Sequence, residues 1–140
     1  MFDRILKHLI PRRRFTIAFD GNFNSGKSTL ARYIAWKAGI PLIETDLFLI
    51  PDSGLKQYRY ASMIKLIESR HQLDRPLLIE GVRILHSLNK VGIKPDLLIF
   101  CENTNNHACD RYQDLIAPYD KKYCPRSVAD YIYTWAERWD

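Results

Sequence analysis

Residues 21–28 read Gly-Asn-Phe-Asn-Ser-Gly-Lys-Ser, a full match to the phosphate-binding pattern G-x-x-x-x-G-K-[ST]. A loop of this type curls around a phosphate and points successive backbone N–H groups inward. Gly21 and Gly26 supply the positions at which a side chain would block the curl or require a positive φ. A chance match in a chain of this length is expected less than about 1% of the time. The predicted nucleotide-binding residues are Gly21, Asn22, Phe23, Asn24, Ser25, Gly26, Lys27, Ser28 and Thr29.

The residues around the loop supply the structural context that such a motif requires. Residues 15–20 form a short β-branched and aromatic segment, as is typical of a buried strand. After Ser28 the apolar residues recur at helical spacing until Gly39 and Pro41 end the helix. The positive end of this helix would point at the bound phosphates. Lys27 would then reach the β- and γ-phosphates, and the Ser28 hydroxyl would be a ligand of Mg²⁺.

Basic residues are concentrated at the start of the chain. Residues 1–14 contain five basic residues and one acidic residue, and so carry +4 of the total net charge of +5. We therefore divide the chain into a basic amphipathic N-terminal helix or arm, residues 1–14, and one domain that contains the phosphate-binding motif, residues 15–140. A uniformly basic nucleic-acid binder would have a different distribution, so no stable nucleic-acid partner is predicted. The first segment could pack on its own domain, remain a loose arm, or contact a partner or membrane surface, and the first two are favoured.

Several classes of protein are not indicated by the composition. No apolar run approaches the roughly 18 residues of a membrane span, and no signal peptide is recognisable. The cysteines at 101, 109 and 124 have neither zinc-ligand spacing nor the even number of a disulfide framework. The expectation is a cytoplasmic protein without a transmembrane segment.

Apolar segments with the features of strands alternate with segments of helical spacing. The predicted strands are residues 15–20, 41–46, 76–81 and 95–101. The predicted helices are residues 26–38, 58–70, a short one after 81, about 105–116, and a final one from Ser127 through Trp139. Strands that are apolar on both faces and separated by helices are typical of a parallel sheet covered on both sides. The sequence therefore predicts a three-layer α/β fold with four or five parallel strands and helices on both faces.

Acidic residues end three of the predicted strands: Asp20, Asp46 and Glu80. Ligands of open parallel sheets bind outside the carboxyl ends of the strands. Asp20 borders the loop, and we expect it to support the loop by hydrogen bonding. A phosphoryl transferase needs Mg²⁺ ligands and a carboxylate that orients the attacking hydroxyl, and Ser28, Glu80 and Asp46 could fill these roles. The alternative for Asp46 and Glu80 is a helix cap or turn.

Two short motifs resemble a known family. Asp46-Leu47-Phe48 and Leu78-Ile79-Glu80-Gly81-Val82 are similar to elements of the uridine kinase and phosphoribulokinase branch of P-loop NTPases. The resemblance covers roughly residues 15–101. It implies a P-loop kinase fold with ATP and Mg²⁺ as cofactors. It also implies that Asp46 is the general base, that Glu80 helps to bind magnesium together with Ser28 and Asp46, and that Lys27 has its usual catalytic role.

Members of that family carry an arginine-rich lid, whose cations stabilise charge on the transferring phosphoryl group. The resemblance implies this catalytic role for Arg111. Three further cations follow it and could serve the lid or belong to a solvated surface: Lys121, Lys122 and Arg126.

The acceptor should bind along residues 47–60, where four side chains are candidates: Phe48, Tyr58, Arg59 and Tyr60. Aromatic side chains there could stack on a ring of the acceptor or belong to the core, and the core is favoured for Phe48. Arg83 could face the acceptor.

These features together predict an ATP- and Mg²⁺-dependent small-molecule kinase that phosphorylates a hydroxyl of a nucleoside-like or sugar-like acceptor. A nucleotide or polynucleotide-end kinase is a second hypothesis, which Arg59, Arg70 and Arg83 keep open because extra phosphates need cations. A third is a non-catalytic ATP-binding regulatory module that docks through its basic N-terminal helix. The guanine-selecting pattern N/T-K-x-D is absent from the sequence, which argues against a GTPase.

Overall fold

Five parallel strands form the centre of the computed structural model, which describes residues 1–105 and 112–136. Their order across the sheet is β2-β3-β1-β4-β5, so that β1 lies in the middle. The strands are β1 (Thr16–Asp20), β2 (Leu42–Glu44), β3 (Leu77–Glu80), β4 (Leu97–Asn103) and β5 (Tyr131–Trp135). The predicted α/β fold with a parallel sheet of four or five strands is confirmed.

Helices cover both faces of this sheet, as predicted. The helices are α1 (Phe2–His8), α2 (Lys27–Ala38), α3 (Tyr60–Gln72), α4 (Ile84–Lys90), α5 (Gln113–Tyr123) and α6 (Pro125–Val128), with a 3₁₀ turn at Thr45–Phe48. Among the described residues, no helix combines the length and the apolar character that a membrane span needs.

Alternation along β1 divides the apolar core into two layers. Ile17 and Phe19 face the layer formed with α1 and α2, whereas Ala18 faces the layer formed with α3 and α4. All five residues of β1 are buried, which explains why this strand is apolar on both faces. Complete burial of a side chain such as Ile17 stabilises the fold by about 2 kcal/mol relative to exposure.

The N-terminal helix α1 packs on the first of these layers. Ile5 and Leu9 are buried in the same apolar cluster as Ile17 and Phe19. Arg4 and Lys7 lie on the solvent side of the helix. The amphipathic spacing of the sequence thus corresponds to an inner apolar side and an outer basic side.

The prediction of a final helix from Ser127 onwards is wrong. Helix α6 ends at Val128, and residues 131–135 form the edge strand β5 beside β4. Asp130 does not cap a helix; its backbone N–H donates to Leu98 O (2.9 Å) and its Oδ2 accepts from Leu98 N (2.8 Å). Tyr131, Tyr133 and Trp135 follow the two-residue period of a strand and pack on the sheet's first layer, and this long-range pairing overrides the helical spacing.

The helix predicted at about residues 105–116 falls largely on residues 106–111, which lie outside the described residues. Helix α5 runs from Gln113 to Tyr123, with two buried residues, Ile116 and Tyr119. Arg111 lies outside the described residues, as does Trp139.

Candidate functional site

The phosphate-binding motif forms the turn between β1 and α2, as the sequence predicts. Gly26 caps the helix in the left-handed conformation, at φ 82°. The Lys27 side chain is nearly buried and folds back over the loop, where its Nζ donates to Asn22 O (3.4 Å). Residues 24–29 line a cavity of about 200 Å³ in front of the helix N-terminus. The predicted nucleotide-binding residues that line it are therefore adjacent in space.

Trp135, at the end of β5, lies directly against Gly26. A Cβ atom added to Gly26 would lie 2.2 Å from Trp135 Nε1, which leaves no room for any other residue. The contact has no local signal in the sequence, because the spacing of Trp135 with Ile132 and Ala136 is that of a helix. The packing of β5 against the loop thus requires glycine at position 26.

Three carboxylates meet beside the loop. Glu44, Asp46 and Glu80 each place a carboxylate oxygen within 4.8 Å of the others. The Ser28 hydroxyl donates to Glu80 Oε1 at 3.1 Å. Ser28, Asp46 and Glu80, which the sequence proposed as a metal site, are therefore brought together. Glu44 was missed, because its position opposite Glu80 follows from the register of β2 on β3 and has no local signal.

Glu80 lies at the buried side of this cluster, with 3% of its surface exposed. Burial raises the pKa of this carboxyl, while Lys27 and the Ser28 hydroxyl oppose the increase. Among the described residues, no group donates a hydrogen bond to Glu80 Oε2. A buried carboxylate oxygen without a donor is costly unless a cation compensates it, and oxygen ligands of this kind suit Mg²⁺.

Arg32, one turn after Ser28 on α2, neutralises part of the cluster. Its Nε and Nη2 each donate to one oxygen of Glu44, both at 2.7 Å. Hydrogen bonding by this guanidinium lowers the pKa of Glu44. Glu44 therefore stays ionised beside Asp46 and Glu80, and its charge is balanced from the protein side.

Asp20 supports the loop from below by hydrogen bonding, as expected. Its Oδ1 accepts from Gly21 N at 2.8 Å, and its Oδ2 accepts from the Tyr119 hydroxyl. Burial raises the pKa of Asp20 to about 6, although the bonds from Tyr119 and Gly21 lower it. Tyr119 also accepts from Leu85 N (3.2 Å), so α5 is connected to both β1 and α4. No sequence pattern predicts the role of Tyr119, because this role depends on a contact between distant segments.

A cavity of about 120 Å³ adjoins the carboxylates and the phosphate loop. Its lining includes Lys27, Ser28, Asp46, Leu55, Tyr58 and Glu80. Arg83 closes the neighbouring wall by donating from Nη1 to Leu55 O (3.2 Å). Thr45 lies so close to Gly81 that an added Cβ would be 1.9 Å from its Oγ1, which explains the glycine after Glu80. Residues near the predicted acceptor segment thus form a wall of this cavity.

Other cations that the sequence singled out lie elsewhere. Arg70 donates from Nε to Pro76 O (3.0 Å), near the start of β3 and away from the carboxyl ends of the strands. Arg126 pairs with both oxygens of Glu102 (2.9 and 3.1 Å). Arg59 and the two lysines 121–122 are exposed.

A larger cavity, of about 460 Å³, lies at the opposite edge of the sheet between the ends of α3 and α4. None of the predicted nucleotide, metal or catalytic residues lines it.

Comparison with solved structures identifies similar folds. A protein described as a possible uridine kinase from Bacillus stearothermophilus superimposes with a TM-score of 0.61 at 16% identity, covering 94% of this chain and 96% of that one. Shikimate kinase from Bacteroides thetaiotaomicron matches with a TM-score of 0.52 at 16% identity, over 90% and 89% of the two chains. Thymidylate kinase from Ehrlichia chaffeensis matches with a TM-score of 0.51 at 12% identity, over 88% and 92%.

No family model and no curated protein sequence matches the chain. The likeness is therefore one of fold, and at this level of identity it shows the fold alone. The chain has the fold of P-loop kinases and resembles a uridine kinase structure in particular, in agreement with the resemblance seen in its sequence.

Proposed function

We propose that the protein is an ATP- and Mg²⁺-dependent phosphotransferase, a small-molecule kinase whose acceptor is a hydroxyl of a nucleoside-like or sugar-like compound. The observation that carries the proposal is the hydrogen bond between Ser28 and Glu80, with Asp46 beside them at the mouth of the phosphate loop. A phosphate cradle, a cluster of carboxylates and an adjoining cavity are the parts that phosphoryl transfer needs.

ATP would bind with its β- and γ-phosphates in the cradle of residues 21–29. The backbone N–H groups of the loop and the N-terminus of α2 would donate to the phosphate oxygens. Lys27, which already lies over the loop, would exchange its bond to Asn22 for the phosphates. The twelve residues of α2 are enough for a developed helix dipole.

Ser28, Glu80 and Asp46 would hold the magnesium ion. The donor set fits this ion, because it consists of oxygens and includes the buried Glu80 Oε2 that no described group donates to. Mg²⁺ bound there would supply positive charge that offsets the negative charge of the transferring phosphoryl group.

Asp46 would accept the proton of the attacking hydroxyl. Its side chain is exposed and lines the cavity next to Lys27 and Ser28, so an acceptor in the cavity can reach it. Positioned general bases contribute about 10²–10⁴-fold to a rate. The proposal retains Arg111 as a cation that stabilises the transferred phosphoryl group.

One aromatic side chain supports an acceptor with a ring. Tyr58 lines the cavity. Its ring centroid lies 5.7 Å from that of Tyr60, which packs against the apolar core at the start of α3. Flat aromatic surfaces of this kind pack on nucleobases or on the apolar faces of sugars.

The decisive experiment is ADP release from Mg·ATP with nucleosides, nucleotides, sugars and short oligonucleotides as acceptors, and with Asp46→Asn as the control. An acceptor-dependent signal that the substitution removes would establish the kinase and its substrate class. A signal with nucleotides or oligonucleotides alone would replace the proposed acceptor. ATP binding without release for any acceptor would favour the regulatory module, and full transfer by Asp46→Asn would contradict the base assignment.

A further inference from the structure

A continuous row of aromatic and basic side chains runs along α1 and the second half of α2. The ring of Phe2 lies 5.0 Å from that of Tyr33, which in turn lies 6.1 Å from Trp36. The Lys37 ammonium lies 5.4 Å from the centre of the Trp36 ring. These contacts join the two helices into one surface.

Arg12 fixes the other end of the same surface. Its Nη1 donates to Gly39 O at 3.2 Å and its Nη2 to Ala38 O at 2.6 Å, at the C-terminus of α2. Since Phe2 contacts Tyr33 and Arg12 contacts Gly39, the chain between them runs alongside the turn of α2 that carries Trp36. We call the exposed residues of this region the α1–α2 surface: Met1, Arg4, Lys7, Ile10, Arg12, Arg13, Tyr33, Trp36 and Lys37.

Large apolar side chains on this surface are unusually exposed. Trp36 is 74% exposed and Ile10 is 75% exposed, although the same two segments bury Ile5, Leu9 and Ile34 completely or nearly so. The helices therefore have a satisfied inner side, and Trp36 and Ile10 contribute little to the core. A cluster of exposed apolar residues rimmed by charges is typical of an interaction surface.

The charge of the surface indicates an anionic partner. The surface carries five basic side chains, Arg4, Lys7, Arg12, Arg13 and Lys37, and Asp3 is the single acidic residue of residues 1–14. Tryptophan and basic residues together suit the interface of a bilayer, where the ring lies among headgroups and the cations meet anionic lipid. The exposed aliphatic side chains of Ile10 and Met1 favour lipid over a nucleic-acid backbone, which offers them no apolar depth.

We propose that the α1–α2 surface docks on an anionic lipid bilayer, with Trp36 and Ile10 inserted among the headgroups. Arg4, Lys7 and Lys37 contact the acidic headgroups. Trp36 follows Lys27 by nine positions on α2, about 14 Å along the helix axis, so the phosphate loop stays open to solvent. The inference does not rest on the proposed kinase activity.

The test is co-sedimentation of the full chain with phosphatidylcholine vesicles that contain or lack phosphatidylserine. Arg4→Glu/Lys7→Glu and, separately, Trp36→Ala should each reduce the bound fraction at least about tenfold. The first control, Lys90→Glu/Lys94→Glu, makes the same charge change at exposed positions elsewhere. The second, Leu66→Ala, removes an exposed apolar side chain on α3, across the sheet.

Binding that requires phosphatidylserine, is lost in the two surface variants and is kept in both controls would support the proposal. The proposal is overturned if the wild-type chain does not sediment with either vesicle, or if the control charge pair weakens binding equally. It is also overturned if the wild-type chain does not bind vesicles but self-associates or binds oligonucleotides, and the surface variants lose that binding. Circular dichroism verifies that each variant is folded, and all the substituted side chains are exposed.

Discussion

Tyr119 donates its hydroxyl hydrogen to Asp20 Oδ2, while Asp20 Oδ1 accepts from the first backbone N–H of the phosphate loop. The two residues are separated by 99 positions in sequence and come from α5 and the end of β1. A single buried carboxylate thus couples α5 to the position of Gly21.

We expect Tyr119→Phe to lower the free energy of unfolding by about 1–3 kcal/mol at neutral pH, because buried Asp20 loses a donor to its charged form. The matched control is Tyr123→Phe, one turn later on α5, where the hydroxyl does not contact Asp20. Urea denaturation measures both. Equal losses in the two variants would mean that the bond to Asp20 contributes nothing.

A second expectation concerns the pH dependence of stability. The pKa of Asp20 is raised from 3.8 to about 6 in the folded chain, so between these values the folded state binds more protons than the unfolded state. The stabilising contribution of the protonated carboxyl is fully present below pH 3.8 and is lost as the pH rises through about 6. The shift corresponds to about 3 kcal/mol.

Asp20→Asn should therefore be more stable than the wild-type chain at neutral pH, and the difference should disappear towards pH 4. Urea denaturation across this pH range gives the free energy of unfolding of both chains. The difference between the two profiles isolates Asp20, because Glu80 and Asp120 titrate in both chains. A constant difference between the two profiles would show that Asp20 does not titrate in this range.

Features that depend on neighbouring residues could be predicted from the sequence. The strand, loop and helix around Lys27 follow from a local pattern, and the meeting of Asp46 with Glu80 follows from parallel strands that end at one edge. The helical spacing of Ile132, Trp135 and Ala136 is also a local pattern. It predicts a helix wrongly, because residues 131–135 pair with β4 as strand β5.

The missed residues share one cause. Glu44 joins the carboxylates through strand register, Tyr119 reaches Asp20 across the fold, and Trp135 contacts Gly26 from the edge strand. Each contact joins distant segments, and the spacing of side chains along a single chain carries no information about it.

Lys27 and Asp46 should separate nucleotide binding from transfer. Lys27→Ala removes a charged donor to phosphate, so ATP affinity should fall by about 1.5–3 kcal/mol and activity should be lost. Asp46→Asn keeps the side chain's size and an oxygen that can ligate Mg²⁺ but cannot accept a proton, so ATP affinity should change little while the rate of transfer falls about 10²–10⁴-fold. Titration calorimetry and ADP release measure the two effects. A large loss of ATP affinity in Asp46→Asn would assign this residue to binding.

Gly26→Ala tests the contact with Trp135. Gly92 is the control, because its φ of 71° is similar to the 82° of Gly26. A Cβ atom added to Gly92 would contact nothing within 4 Å. Gly92→Ala should therefore lower the free energy of unfolding only by the backbone strain, about 1–2 kcal/mol. Gly26→Ala should lower it by more, and should also weaken nucleotide binding about tenfold or more.

Urea denaturation measures the free energy of unfolding of each variant. In a Trp135→Ala background, Gly26→Ala should lower this free energy only as much as Gly92→Ala does, because the clash with Trp135 is gone and the backbone strain remains. Equal costs of the two glycine substitutions in the wild-type background would show that Trp135 does not require the glycine.

Arg32→Met should tighten the binding of Mg²⁺ at the proposed site. The substitution leaves Glu44 without its bidentate partner beside Asp46 and Glu80, so the cluster gains an uncompensated negative charge. At solvent-screened separations of about 4 Å this charge is worth about 1 kcal/mol, or roughly fivefold in affinity. Stability should change by less than about 1 kcal/mol, because the Arg32 side chain is 62% exposed.

Arg126→Met is the matched control, since it breaks an equally exposed bidentate pair with Glu102 away from the carboxylate cluster. Titration of Mg²⁺ into the ATP-bound protein measures both variants. Tighter binding in Arg32→Met alone would show that Glu44 adds to the field at the metal site. Unchanged or weaker binding would mean that Arg32 contributes to the site by positioning Glu44, or that the ion binds elsewhere.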